Sequence, residues 1–266
     1  MLYDEWSEKM VKIISINNFK GGVGKTSTTV ALSYLLAEKY DYKVLVIDLD
    51  PQADTTDLLF TTYKKKERTS LYNALKENKS ANDCIVNLNR KIDIIPANFN
   101  LIGFPYLISE HLQRKDSVKV LYSFIKDIKN EYDFVLIDTP PTISDFSSNA
   151  IYACDYSLIV MQTHYRSYNA VSKFIAYLKD FKEYYNTNFD IIGILPVMMK
   201  KNGTVDEATL TKAREQYKEY IFKNIVQNRE RIKRWDITGI TDEDMHDKST
   251  LDMYDSITKE LLDKIK

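Results

Sequence analysis

Lys20-Gly21-Gly22-Val23-Gly24-Lys25-Thr26-Ser27 stands between an apolar run, Val11-Lys12-Ile13-Ile14-Ser15-Ile16-Asn17, and a helical pattern that starts near Thr26 and carries Val30, Ala31, Leu35 and Leu36. The glycines at 21, 22 and 24 permit backbone angles that other residues avoid, so successive N–H groups can converge on one anion. The positive end of the helix that follows adds to the attraction. A strand–loop–helix of this composition binds nucleotide phosphate, with Lys25 reaching the outer phosphates and the Thr26 hydroxyl taking a place on Mg²⁺. Residues 20–27 are therefore the candidate nucleotide-binding loop.

Two other segments end in carboxylates. Lys43-Val44-Leu45-Val46-Ile47-Asp48-Leu49-Asp50-Pro51-Gln52 is a short β-branched run of the kind buried on both faces of a parallel sheet. Tyr132-Asp133-Phe134-Val135-Leu136-Ile137-Asp138-Thr139-Pro140-Pro141 is a second. Asp48, Asp50 and Asp138 thus fall at the carboxyl ends of strands, where open α/β sheets bind ligands.

The generic phosphate loop carries glycine where this sequence has Phe19, and in its place a second lysine, Lys20, directly precedes the paired glycines. This variant loop resembles that of the ParA/MinD group of P-loop ATPases. The resemblance runs from Val11 to Arg234, is strongest at the three motifs above, and is weak in the last thirty residues. It implies ATP and Mg²⁺ as cofactors, with Asp138 as the Walker B aspartate that holds Mg²⁺ through water and Asp48 near the metal. It implies that Asp50 orients the attacking water and that Lys20 crosses a dimer interface to the partner's nucleotide. Mg²⁺ needs only one or two protein oxygens besides the phosphates, so Thr26 and Asp138 suffice. Lys20, Lys25 and Asp50 are the catalytic candidates, since hydrolysis of this kind is mostly positioning and charge stabilisation.

Around these motifs the pattern alternates strand and helix. Helices are expected from near Asp54 through Leu58 and Leu59, over 70–75, across 118–128, near 147–153 and over 169–185. Strands are expected over 92–98, 156–161 and 191–197. Such alternation predicts a mostly parallel, doubly wound sheet with helices on both faces, and the 266 residues fit a single P-loop domain over 1–266. Residues 1–10 leave no room for an N-terminal helix-turn-helix domain. The run 63–68 reads as a solvated loop, and Cys84 and Cys154, without metal-ligand spacing, read as packing residues. No apolar run approaches a membrane span and no secretory signal opens the chain, which points to the cytoplasm.

With 37 basic and 38 acidic residues the chain is nearly neutral, so basic residues gathered between Lys200 and Arg234 are balanced by acids elsewhere, such as Asp242, Glu243 and Asp244. Local basic excess suits sequence-independent phosphate binding. Lys201, Arg229, Arg231, Lys233 and Arg234 are the DNA-binding candidates. Asn17, Asn18, Gln162 and Tyr165 are possible site or interface residues, equally compatible with packing. The resemblance implies an ATP-dependent homodimer on nonspecific DNA, associated with the nucleoid in its ATP state, and a ParB-type centromere-bound adaptor that stimulates hydrolysis. The alternative is a MinD-like positioning ATPase acting on a membrane or protein array. Tyr254, Ile257, Leu261, Leu262 and Ile265 recur at helical spacing, but acids share the polar face, so this helix is expected to pack against the body rather than on a membrane.

Overall fold

The computed structural model describes residues 10–66, 69–110, 112–200 and 203–265. Among them, strands β1 (Lys12–Asn17), β2 (Val44–Asp48), β3 (Val86–Asn87), β4 (Ile92–Ile95), β5 (Phe134–Asp138), β6 (Tyr156–Gln162) and β7 (Asp190–Val197) form one sheet in the order β3-β4-β2-β5-β1-β6-β7. All pairs are parallel except β3 with β4. The helices in chain order are α1 (Lys25–Glu38), α2 (Asp54–Tyr63), α3 (Leu71–Lys76), α4 (Phe104–Ser109), α5 (Arg114–Ser117) and α6 (Val120–Ile125). They continue with α7 (Asp145–Ala153), α8 (Tyr165–Tyr185), α9 (Thr204–Tyr217), α10 (Glu230–Thr238) and α11 (Met245–Ile265).

Side chains alternate across each strand, so the sheet has two apolar faces to cover. Ile13, Leu45, Ile47, Val135, Ile137 and Ile159 pack with Phe104 of α4, Leu121 of α6, Ile151 of α7 and Phe174 of α8. Ile14, Ile16, Val46, Leu136 and Val160 pack with Leu32 of α1, Leu59 of α2 and Ile257 of α11. Each fully buried aliphatic side chain is worth roughly 1.5–3 kcal/mol. The mostly parallel, doubly wound sheet expected from the alternation is the sheet observed.

Pro196 lies in β7, at the sheet's edge, where a residue without an N–H is tolerated. Two expectations are corrected. Tyr63, expected in a solvated loop over 63–68, is the last residue of α2 and packs against the core, while residues 67 and 68 lie outside the described residues. Within 118–128 only α6 is helical, with turns at 118–119 and 126–128. Leu121 and Ile125 still reach the core from α6, as the periodicity requires. Cys84 and Cys154 are buried free thiols, each pushed up to about 12 by burial. In α11, Tyr254, Ile257 and Leu261 are fully buried, which leaves them unavailable to a bilayer surface. Among the described residues no helix is long and apolar enough to cross a membrane.

Candidate functional site

β1 delivers the loop to the carboxyl edge of the sheet, and α1 begins within it at Lys25. Gly24, the residue that caps α1, has φ 80°, and Gly22 has φ 68°; a side chain at either would be strained. Lys25 is buried and its ammonium donates to the Lys20 carbonyl at 3.2 Å, folding the side chain back over the loop. Burial pulls the Lys25 ammonium below its ordinary value, and the charges of Asp138 and Asp50 oppose that. Lys20 is half-exposed beside the N-terminus of α8. There burial, and secondarily the charge of Lys20, lower the His164 imidazole.

Asp48 and Asp138 are register partners on adjacent strands, both buried. Asp138 Oδ2 accepts from the hydroxyls of Thr26 at 2.9 Å and Thr55 at 2.7 Å, while Oδ1 accepts from Thr29 at 3.3 Å and the Thr139 amide at 3.1 Å. Asp48 Oδ2 accepts from the Thr56 amide at 2.9 Å and hydroxyl at 2.7 Å, and Oδ1 from the Asp50 amide at 3.0 Å. Its carboxylate therefore fixes the turn that presents Asp50 as well as the start of α2. Burial, then the charge of Asp138, push the Asp48 carboxyl up to about 8, and burial raises Asp138 as well.

A cavity of about 770 Å³ opens over the loop. Its walls include residues 21–27, Asp50, Pro141, Met198, and from α10 Ile232, Lys233 and Asp236. The volume lies in the range of small-molecule and cofactor sites. Its lining combines the loop glycines, one buried lysine and the oxygens of Thr26 and Asp50 with apolar Met198, which sits against Gly24, and Ile232. Thr26 Oγ1 and Asp138 Oδ2 form a paired oxygen site that fits Mg²⁺, a cation bound by one or two such ligands beside the phosphates.

The basic candidates separate into different settings. Arg229, Arg231 and Arg234 border a shallow recess with His246. Arg231 is held by Asp247 at 2.8 Å and by Asp244, so its charge is already neutralised. Arg229 donates to the Ser249 hydroxyl at 2.8 Å, and Arg234 is exposed. Lys233 pairs with Glu230 at 3.1 Å and borders the cavity over the loop instead of the recess. Lys201 lies outside the described residues. Asn18 donates to the Val160 carbonyl, and Asn17 bonds within the β1–β6 layer to Ser15 and Ser157. Sequence reasoning did not pick out Thr55, Thr56, Met198, Ile232 or Asp236. The only local signal was the Thr-Thr pair that begins three residues past Gln52 at the head of a predicted helix.

A parallel sheet with a glycine loop, a buried lysine and strand-end aspartates at its carboxyl edge is a P-loop nucleotide-binding protein. Residues 11–191 match the AAA domain family, AAA_31, to which the chain belongs, and within it the chain is of the ParA/MinD partition-ATPase type. Among relatives, the sporulation initiation inhibitor protein Soj of Bacillus subtilis is 28% identical over 84% of this chain and 87% of its own length. The chromosome partitioning protein ParA of Myxococcus xanthus is 27% identical over 83% of this chain and 77% of its own. Among solved structures, apo McdA of Cyanothece superposes with a TM-score of 0.81 at 25% identity, covering 95% of this chain and 100% of that one.

Proposed function

We propose that this protein is an ATP-hydrolysing partition switch that dimerises on ATP and binds DNA without sequence preference. The observation that carries the nucleotide assignment is the Thr26–Asp138 contact at 2.9 Å beside the buried Lys25 ammonium, at the mouth of the glycine loop. In this reading residues 20–27 hold the phosphates, Thr26 and Asp138 hold Mg²⁺, and Asp48 stays near it. When bound, Mg²⁺ neutralises charge on the terminal phosphate oxygens. Asp50 accepts a hydrogen bond from the attacking water, and its placement follows from the Asp48 carboxylate that fixes its amide. Lys25 stabilises charge within the subunit, and Lys20 does so across a dimer interface.

Arg229 and Arg234 are the DNA contacts best supported by their setting, with Lys201 and Lys233 as further candidates. Arg231 holds α11 through Asp247 and contributes less. A ParB-type adaptor that stimulates hydrolysis, and nucleoid association in the ATP state, complete the proposal by kinship with Soj and ParA. The test is binding of the purified chain to random duplex DNA with ATP, ADP or no nucleotide at two salt concentrations. ATP-dependent binding that weakens steeply with salt is the expected result. Absence of binding in every state would refute the DNA assignment, and tight ATP binding by Lys25→Ala would refute the loop assignment.

A further inference from the structure

Phe19 occupies the position that a generic phosphate loop gives to glycine, and its ring is not idle. It packs edge-on against Phe174 of α8, with ring centroids 4.3 Å apart, and against Tyr177 at 5.6 Å. The preceding residue is tied to a different element, since the Asn18 amide donates to the Val160 carbonyl of β6. Asn18 Oδ1 then accepts the Lys20 amide at 2.9 Å, and the Lys20 carbonyl accepts the Lys25 ammonium at 3.2 Å. The chain entering Lys20 is thus fastened to β6, to α8 and to the loop's own lysine. Glycine at position 19 would leave one of these fastenings out and add backbone freedom just before Lys20.

We propose that Phe19 is a positioning residue for Lys20: its ring, seated on Phe174 and Tyr177 of α8, fixes the backbone from which the Lys20 ammonium reaches the second nucleotide of the dimer. The inference rests on the role given to Lys20 above. A long flexible lysine has many rotamers, and the volume its ammonium samples is set by how firmly its backbone is held. Displacement of a reacting group by about 1 Å costs on the order of a hundredfold in rate. Lys25–Ser27 lie within α1, whereas the Phe19 ring packs on α8, so turnover responds to loss of the ring more than nucleotide affinity does.

The experiment compares wild type with Phe19→Ala, Phe19→Tyr, Phe174→Leu, Lys20→Ala and the double variant Phe19→Ala/Lys20→Ala, all in the full chain. Affinity for a fluorescent ATP analogue and kcat at saturating Mg·ATP are measured for each. Phe19→Ala is expected to lower kcat by about ten- to a hundredfold and to change nucleotide affinity by less than about twofold. Phe19→Tyr restores most of the rate. Phe174→Leu, which removes the ring's seat from the other side, follows Phe19→Ala in direction. In the Lys20→Ala background, loss of the Phe19 ring produces no further decrease, because the two act as one unit. An additive loss in the double variant, or equal losses of affinity and rate in Phe19→Ala, would overturn the inference while leaving the ATPase reading intact. Wild-type turnover by Lys20→Ala would overturn both the role of Lys20 and the inference built on it.

Discussion

Replacing Asp138 with asparagine removes one of two carboxylates buried side by side and leaves the surrounding hydroxyls with partners. The asparagine oxygen can accept from Thr29 and the Thr139 amide, and its amide nitrogen can donate to the hydroxyl oxygens of Thr26 and Thr55. In the wild type, Asp48 is pushed up to about 8 by burial and by the Asp138 charge, from an ordinary value of 3.8. The folded state therefore binds more protons than the unfolded chain between those values, and stability contributed by the pair falls as pH rises through that window. One such proton changes stability by roughly 1 kcal/mol per pH unit, on the order of 3 kcal/mol at most between pH 5 and pH 7. With an unfolding entropy of about 2.1 cal/mol/K per residue over 266 residues, this is up to about 5 °C in Tm. His164, lowered by burial, works in the opposite direction as it is acidified, but it is common to both proteins and cancels in their difference. Thermal unfolding in EDTA without nucleotide should show a steeper fall from pH 5 to pH 7 in the wild type than in Asp138→Asn, whose Asp48 lacks a charged neighbour. Adding Mg·ATP at a hundred times its wild-type Kd should then raise the wild-type Tm by about 5 °C, from about 2.7 kcal/mol of linkage, and raise that of the variant by less. Parallel pH profiles would refute the claim that the carboxylates interact, and equal stabilisation by Mg·ATP would remove Asp138 from the metal site.

Asp50→Ala should bind ATP within about twofold of the wild type and lose on the order of a hundredfold in turnover, the scale of a lost positioning or general-base group, as measured by phosphate release. Arg234→Glu should weaken DNA binding and reduce the slope of log K against log salt by about one, whereas Arg231→Lys should perturb thermal stability more than the salt slope, because Arg231 is engaged by Asp244 and Asp247. Leu261→Ala should cost about 3 kcal/mol in chemical denaturation, since Leu261 is fully buried on α11; a negligible loss would mean that this helix is not part of the core.

The phosphate loop, β2 and β5 were legible because each is a contiguous stretch in which an apolar run and a polar chemistry meet at a strand end. Periodicity found α8 and α11, whose apolar residues repeat over many turns, and it overextended the 118–128 helix because Val118, Leu121 and Ile125 keep helical spacing through a broken backbone. The remaining walls of the cavity come from residues distant in sequence, and no local pattern marks Met198 or Asp236 as sharing a cavity with Gly24. The basic run around α10 shows the limit most clearly. Successive residues of a helix point about 100° apart, so charge content alone does not say which surface each side chain serves. Lys233 borders the cavity over the glycine loop, its neighbour Arg234 borders the arginine recess, and Arg231 is consumed by an ion pair to α11. Side chains of the one helix α10 thereby line both places.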